Sequence, residues 1–383
     1  MFDKVINGVR ALFDEPVGLI PLHAPWFDEE DERAVADVVR TTFVSSVGPD
    51  ITAFEEDMVL RTGAAGCVAV VNGTSALHMA LLLSGCRSGD LVITQAFTFI
   101  ATANAIAYTG AEPVFIDIDR ATLGLSPSAM RNWLERECRR TEGGCRHRAS
   151  GRTVRACVPM HTFGLVLDIK GIVEVCHEWG IAVIEDAAEA LGSTTEGRHA
   201  GTFGHIGTLS FNGNKIITCG GGGAMLFNDP ELARRAKHLT TQAKVPHPWA
   251  FAHDALGYNY RLPNLNAALL RSQLRKLNHN IATKRDLHGR YARIFAGTPW
   301  QLVEEVPGTH SNYWLNAVIM GDRTERDAFL QACADGGIQA RPAWELGHEQ
   351  PMHAHAMHDG LEVSRHIQDR LVNLPSSAKP ARR

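Results

Sequence analysis

Short apolar runs without polar alternation, each followed by a helical period, recur over most of the first 250 residues. The stretch "CVAVVNGTSALHMALLLSGC" reads as strand, turn and helix, with the strand over Val68–Val71 and the helix from Ser75 onward. "DLVITQAFTFIATANAIAYTGAEPVFIDID" repeats the scheme: strand Leu91–Thr94, helix Ala101–Tyr108, strand Pro113–Asp117. "RACVPMHTFG" and "GIAVIEDAAEALGS" each supply another Val/Ile-rich strand that ends in polar groups. A strand wet on one face alternates apolar and polar residues; these do not, so both faces must be covered. Helices linking such strands predict an α/β fold with a mostly parallel central sheet. Ligands of such sheets gather at the carboxyl ends of the strands. His161, Asp186 and the Asn72–Thr74 turn stand there.

At 383 residues the chain exceeds what one small core organises, and two domains are expected. The pattern changes near residue 260, where "RLPNLNAALLRSQLRKLNHNIATKRDLHGRYARIF" reads as a long helix with a bend near Asn278. A short strand in "NYWLNAVIM", a helix over Thr324–Asp335 and a strand in "IQARPAW" follow. We therefore divide the chain into a large domain, 20–255, and a smaller α+β domain, 256–383, with 1–19 a candidate addition to the latter. The basic tail "LPSSAKPARR" has no apolar pattern and reads as loose.

A net charge of -4 offers no general attraction to nucleic acid or to an acidic membrane. No apolar run approaches the roughly 20 residues that span a bilayer. The amino-terminal "MFDKVINGVRALFDEPVG" carries acids within its apolar stretch and reads as no signal peptide. Eight scattered cysteines, with no CxxC pair, fit a reducing cytoplasm. "CRRTEGGCRHR" and "HEQPMHAHAMH" bring Cys and His together, but neither has a metal-ligand frame, and both read as solvated loops.

"SFNGNKIITCGGGGAM" sets one lysine, Lys215, between a strand-like "TLSF" and the glycines Gly220–Gly223. Partial burial lowers a lysine's pKa and makes it a nucleophile for Schiff-base chemistry, although most lone lysines are simply solvated. The glycines either let backbone approach a ligand closely or make a tight turn. "NGTSALH" puts Gly73, Thr74 and Ser75 where a strand becomes a helix, which is either an anion site or an ordinary cap. There is no GxxxxGK[ST], so this is not a nucleotide P-loop. Asp186 closes a buried strand, where a carboxylate needs a cation, hydrogen-bond donors or a helix to cap. A phosphate cup, an aromatic ring in "FTFIATANAI", a buried acid and a lysine together suit one ligand, pyridoxal phosphate.

With these motifs the chain resembles the nucleotide-sugar aminotransferases of the DegT/DnrJ/EryC1/StrS group, on the aspartate-aminotransferase fold. The likeness runs from "IPLHAPWF" to "RPAW", through "SSVGPDITAFE", "EDAAEALGS", "LTTQAK", "GYNYRLPNLNAA" and "NYWLN". These are most like the branch that aminates UDP-linked 4-keto-6-deoxy-N-acetylhexosamines for bacillosamine and legionaminic acid. The resemblance implies that Lys215 bonds to the cofactor's aldehyde and carries the proton, while Asp186 pairs with the pyridine nitrogen. Glu189 stands where many relatives have Gln, facing the 3-hydroxyl. Thr74, Ser75 and Ser210 would hold the phosphate and Phe99 would stack on the ring. Asn259 would reach the phosphate in a neighbouring subunit, which implies a homodimer with shared sites. His161 and Arg341 match positions near substrate; a strand-end hydrogen bond and a surface ion pair are their bland readings.

The implied reaction takes an amine from an amino acid, glutamate by analogy, and places it on a nucleotide-linked keto sugar. GDP- or dTDP-linked 3- or 4-keto sugars remain alternatives, as does a non-catalytic sensor that keeps the fold. Relatives that dehydrate sugars carry His in place of the lysine, which Lys215 argues against.

Overall fold

The computed structural model describes residues 1–378. From one edge, the strands of the central sheet run Gly66–Val70, Gly223–Phe227, Ile206–Ser210, Ala182–Asp186, Thr153–Val158, Leu91–Gln95 and Glu112–Ile116. Pairing is parallel from Ile206–Ser210 through Glu112–Ile116, and Gly223–Phe227 runs antiparallel to both of its neighbours. Leu91, Val92, Ile93, Val114, Phe115, Ala156, Cys157 and Ile184 are all shut from solvent, as strands covered on both faces require.

Local chemistry starts and stops the helices that cover the sheet. Asn72 caps Gly73–Leu83, its Oδ1 accepting the Ser75 N–H at 2.7 Å. Asp168 caps Ile169–Trp179, which Gly180 ends in the left-handed region. The long helical pattern is two helices, Asn264–Arg275 and Leu277–Phe295, and the expected bend falls at Lys276, close to Asn278. The first packs on helices Glu29–Thr41 and Pro49–Thr62 beside the large sheet. The second packs on the amino-terminal helix Phe2–Leu12, which buries Val5, Ile6 and Val9 against Tyr291, Phe329 and Cys333.

A four-stranded sheet, ordered Gln301–Leu302, Asn316–Ile319, Leu371–Leu374 and Arg341–Pro342, forms the smaller layer. The strands expected in "NYWLNAVIM" and "IQARPAW" are therefore shorter than their apolar runs. Before Asn316 the backbone turns away: Tyr313 has φ +44°, and the Trp314 N–H donates to the Asn312 side chain at 2.8 Å.

Two loop expectations are corrected. "CRRTEGGCRHR" is an antiparallel hairpin, Cys138–Thr141 with Gly144–His147, that extends the main sheet through Thr153–Val158. Its Cys138 and Cys145 face inward and are fully buried. The tail is tied down at least to Ala378: Ser376 N–H donates to Leu22 O at 2.7 Å, and Ser377 Oγ accepts the Ala24 N–H at 2.8 Å. Residues 379–383 of that tail lie outside the described residues. "HEQPMHAHAMH" makes two short turns, Gly347–Glu349 and Pro351–His353, with His353 buried. Among the described residues no group of three His, Cys, Asp or Glu side chains could hold a metal, and no helix is long and apolar enough to cross a membrane.

Candidate active site

The carboxyl ends of the parallel strands converge on Lys215. The Ser210–Lys215 turn follows strand Ile206–Ser210, and the Lys215 N–H closes it on Asn212 O at 2.9 Å. Its side chain is 12 % exposed, and Nζ donates to Glu189 Oε1 at 3.2 Å. The same Nζ lies 4.1 Å from the centre of the Trp314 ring, whose Nε1 donates to Asn214 O at 2.7 Å. Trp314 is held in turn by Asn312, whose amide donates to Glu189 O and Leu191 O at 2.9 Å each.

Glu189 is buried, and its second oxygen accepts the Phe163 N–H at 2.9 Å. Burial raises its pKa to about 7, against the opposing pull of Lys215. A raised folded-state pKa gives stability that is complete below the unfolded value of 4.5 and is lost as pH rises through about 7. Glu189→Gln should therefore gain on the parent by about 2–3 kcal/mol between pH 5 and pH 8. Urea unfolding of the two cofactor-free proteins at both pH values measures this; a gap that does not change with pH contradicts it.

Asp186 closes strand Ala182–Asp186 and is 3 % exposed. Its Oδ2 accepts the Thr102 hydroxyl at 2.7 Å and its Oδ1 the Ala188 N–H at 3.1 Å. Neither partner is a cation. Thr102 is itself bonded to Thr98 at 3.1 Å, so the helix after strand Leu91–Gln95 orients the acid.

Gly73, Thr74 and Ser75 begin their helix directly against Ser210. A Cβ on Gly73 would stand 2.9 Å from Ser210 Cβ and 3.2 Å from its Oγ. The glycine run makes a tight turn, and the close approach it allows is to backbone. Gly220 turns with φ +83°, and Gly223 passes so close to Asn72 that an added Cβ would lie 2.5 Å from its carbonyl. What Gly223 approaches is thus the backbone of the Gly73–Ser75 turn itself.

The remaining expected residues spread out. Phe99 is half exposed at the start of helix Ile100–Tyr108, its ring 6.4 Å from Trp344 of "RPAW". Arg341 is exposed on the edge strand beside Leu371–Leu374 and has no carboxylate partner among the described residues, so the surface ion pair is not found. His161 is fully buried, with Nε2 donating to Glu185 Oε2 at 3.0 Å, while its own N–H donates to Asp186 O at 3.0 Å. Burial alone would raise Glu185, yet hydrogen bonds from His161, Gly204 and Gly201 outweigh it and hold the carboxyl below its ordinary value. Nε2 of His161 is thus engaged in a strand-end hydrogen bond, while its Nδ1 is buried and has no partner among the described residues. Asn259 is exposed, and its Oδ1 accepts the Arg261 Nε–H at 2.9 Å.

Sequence reasoning missed Thr102 and Trp314. Both lie in quoted motifs, "FTFIATANAI" and "NYWLN", but nothing in local spacing says which distant group each will meet.

The model of the DegT/DnrJ/EryC1/StrS aminotransferase family matches residues 25–381. The chain is 35% identical to the EpsN protein of Bacillus subtilis (strain 168), over 87% of this chain and 83% of that one. It is 33% identical to the GDP-perosamine synthase of Vibrio cholerae over 94% of each. Among solved structures, the aminotransferase TlmJ from Streptoalloteichus hindustanus superposes with a TM-score of 0.84 at 29% identity, covering 94% of each chain. These relatives do not single out the branch acting on UDP-linked acetylhexosamines. A fold built around a buried acid, a half-buried lysine and a serine-lined helix start agrees with them: the chain belongs to the DegT/DnrJ/EryC1/StrS aminotransferase family and is a pyridoxal phosphate-dependent aminotransferase.

Proposed function

We propose that the enzyme moves an amino group from an amino acid, glutamate by family analogy, to the 4-keto carbon of a UDP-linked 4-keto-6-deoxy-N-acetylhexosamine. The product is a 4-amino sugar for a surface glycan. The aminotransferase part of the reading is supported by the convergence of Lys215, Asp186, Glu189 and the Gly73–Ser75 turn with Ser210 at one end of the sheet, and the UDP-linked sugar by the likeness of the quoted motifs to that branch. Bound there, pyridoxal phosphate supplies a ring that accepts an electron pair from the substrate carbon. Lys215 takes and returns the proton at Nζ, and Glu189 and Trp314 hold that amine in place. Asp186 sets a negative charge against the ring nitrogen. Thr74, Ser75 and Ser210 hold the phosphate, Phe99 covers the ring, and Arg341 offers a cation to an anionic substrate group.

A second reading, a GDP-linked keto sugar, is favoured by the 33% identity to GDP-perosamine synthases of Vibrio cholerae and Escherichia coli O157:H7. Mass spectrometry of products from UDP-, GDP- and dTDP-linked 4-keto and 3-keto sugars, with glutamate as donor, decides between them. Amination of the UDP-linked 4-keto sugar is expected; conversion of GDP-linked sugar alone favours the second reading, and conversion of none refutes both.

The reading includes a homodimer in which Asn259 serves the partner's phosphate. Trp249, Phe251 and Leu256, just before Asn259, expose about four-fifths of their surface in the single chain, which suits an interface. Mixing inactive Lys215→Ala and Asn259→Asp chains should restore activity, because a mixed dimer has one site with neither defect. No recovery despite subunit exchange contradicts sharing.

A further inference from the structure

Helix Leu277–Phe295 turns a polar stripe inward where an apolar one is the rule. Asn280, Lys284 and His288 follow at four-residue steps and so share one face. Asn280 and Lys284 are both buried, and each grips backbone close to Lys215. The Asn280 side-chain amide donates to Ile216 O at 3.1 Å, one residue on from the lysine. Lys284 Nζ donates to Trp314 O at 3.0 Å and to Ser376 O, just past strand Leu371–Leu374. His288 stacks on Tyr313 with ring centres 3.8 Å apart and bonds the Asn316 side chain at 2.8 Å. One helix face thus holds both the chain that carries Lys215 and the Tyr313–Asn316 segment that sets Trp314 against it.

Lys284 is the unfavourable member of the stripe. It is shut from solvent, and among the described residues no carboxylate pairs with it. A buried amine without a counter-charge weakens a fold, and a methionine would fill similar space without that penalty. What methionine lacks is the pair of directed hydrogen bonds. These bonds join the lead-in to strand Asn316–Ile319 with the exit from its antiparallel neighbour, Leu371–Leu374. The Trp314 side chain is anchored at its other end, where Nε1 donates to Asn214 O at 2.7 Å. Between these two anchors the ring face lies 4.1 Å from Lys215 Nζ.

We infer that Lys284 is a positioning residue: by tying the Trp314 carbonyl to Ser376 it fixes the Trp314 ring against the Lys215 amine, and so sets where that amine stands during proton transfer. The inference rests on the role proposed for Lys215 and is independent of which sugar is aminated.

The test uses the full-length protein with glutamate as donor. Lys284→Met should lower the limiting rate of the glutamate half-reaction about 10- to 30-fold, followed by the cofactor's absorbance. The half-saturating glutamate concentration should stay within about two-fold, because a displaced amine slows proton transfer without removing a binding contact. In cofactor-free protein, Lys215 of the variant should react about three- to ten-fold faster with an amine-acylating reagent, read by peptide mapping. An amine no longer capped by the ring is more open and more often unprotonated. On a Trp314→Leu chain, which has already lost the ring, Lys284→Met should add less than about a two-fold loss. If Lys284→Met does not fold, Lys284→Gln, with a shorter side chain, should show the same pattern at smaller size. An unchanged limiting rate or unchanged Lys215 labelling overturns the inference. So does a loss repeated in full on the Trp314→Leu chain, which would mean that Lys284 acts on the fold at large. Parental activity in Lys215→Ala overturns the reading of Lys215 and this inference with it, whereas an inactive Lys215→Ala beside a fully active Lys284→Met overturns this inference alone.

Discussion

Lys215→Ala should lower transamination by about 10⁴-fold, and borohydride should no longer fix the cofactor to the chain. The size follows from two tasks resting on one amine. In the proposed reading Nζ would be both the nucleophile toward the aldehyde and the base that moves the proton, and alanine supplies neither. No neighbour can stand in. Among the described residues Lys284 is the one other amine in contact with Trp314, and burial lowers its pKa to about 7, which would favour a free amine. Yet its Nζ is held by Trp314 O and Ser376 O, on the backbone rather than over the ring face that meets Lys215. The substitution should leave the fold intact, because Glu189 can keep a proton once the cation is gone. Peptide mapping after reduction checks the result. Cofactor still bound covalently to the Lys215→Ala chain would reassign the lysine, with Lys284 the first position to inspect.

Asp186→Asn should keep much of the bound cofactor and lose about 10²- to 10³-fold in turnover. Asparagine has nearly the same shape. Its carbonyl can still accept the Ala188 N–H or the Thr102 hydroxyl that now hold the carboxylate at 3.1 and 2.7 Å. What disappears is the negative charge, in a place where Asp186 is 3 % exposed and water cannot substitute for it. If Asp186 faces the ring nitrogen as proposed, loss of that charge would cost the nitrogen its proton and leave the ring a poor electron acceptor. Single-turnover rates with glutamate, set beside cofactor content from absorbance, separate the two effects. Near-parental turnover would leave Asp186 as a residue that holds its turn through the Ala188 N–H. Thr102→Val is a milder probe of the same acid, because it removes only the hydroxyl that orients Oδ2.

The covered strands were legible because their signal is local. A short Val/Ile-rich run without polar alternation, bounded by turn residues, fits a strand with both faces buried, and Leu91–Thr94 lies within one residue of the observed Leu91–Gln95. The Asn72 cap and the turn carrying Lys215 were equally local, since each depends on groups within five residues. Strand Gly223–Phe227 was hidden behind its glycines, which read as a turn and in fact open a strand lying antiparallel to both neighbours.

What the residues by themselves determined is thus the parallel sheet, its helix starts and the presence of a lysine, an acid and a serine-lined turn at strand ends. Which groups surround that lysine was decided only in three dimensions. Trp314 reaches Lys215 because Asn312 turns the backbone toward the Glu189 loop. His161 turns to Glu185 because the Gly201–Gly204 amides gather there. His23 and the Leu374–Ala378 segment meet across more than three hundred residues of chain. Periodicity and caps are set by neighbours along the chain, whereas a partner in space is set by how separate layers pack, and no short window of sequence carries that information.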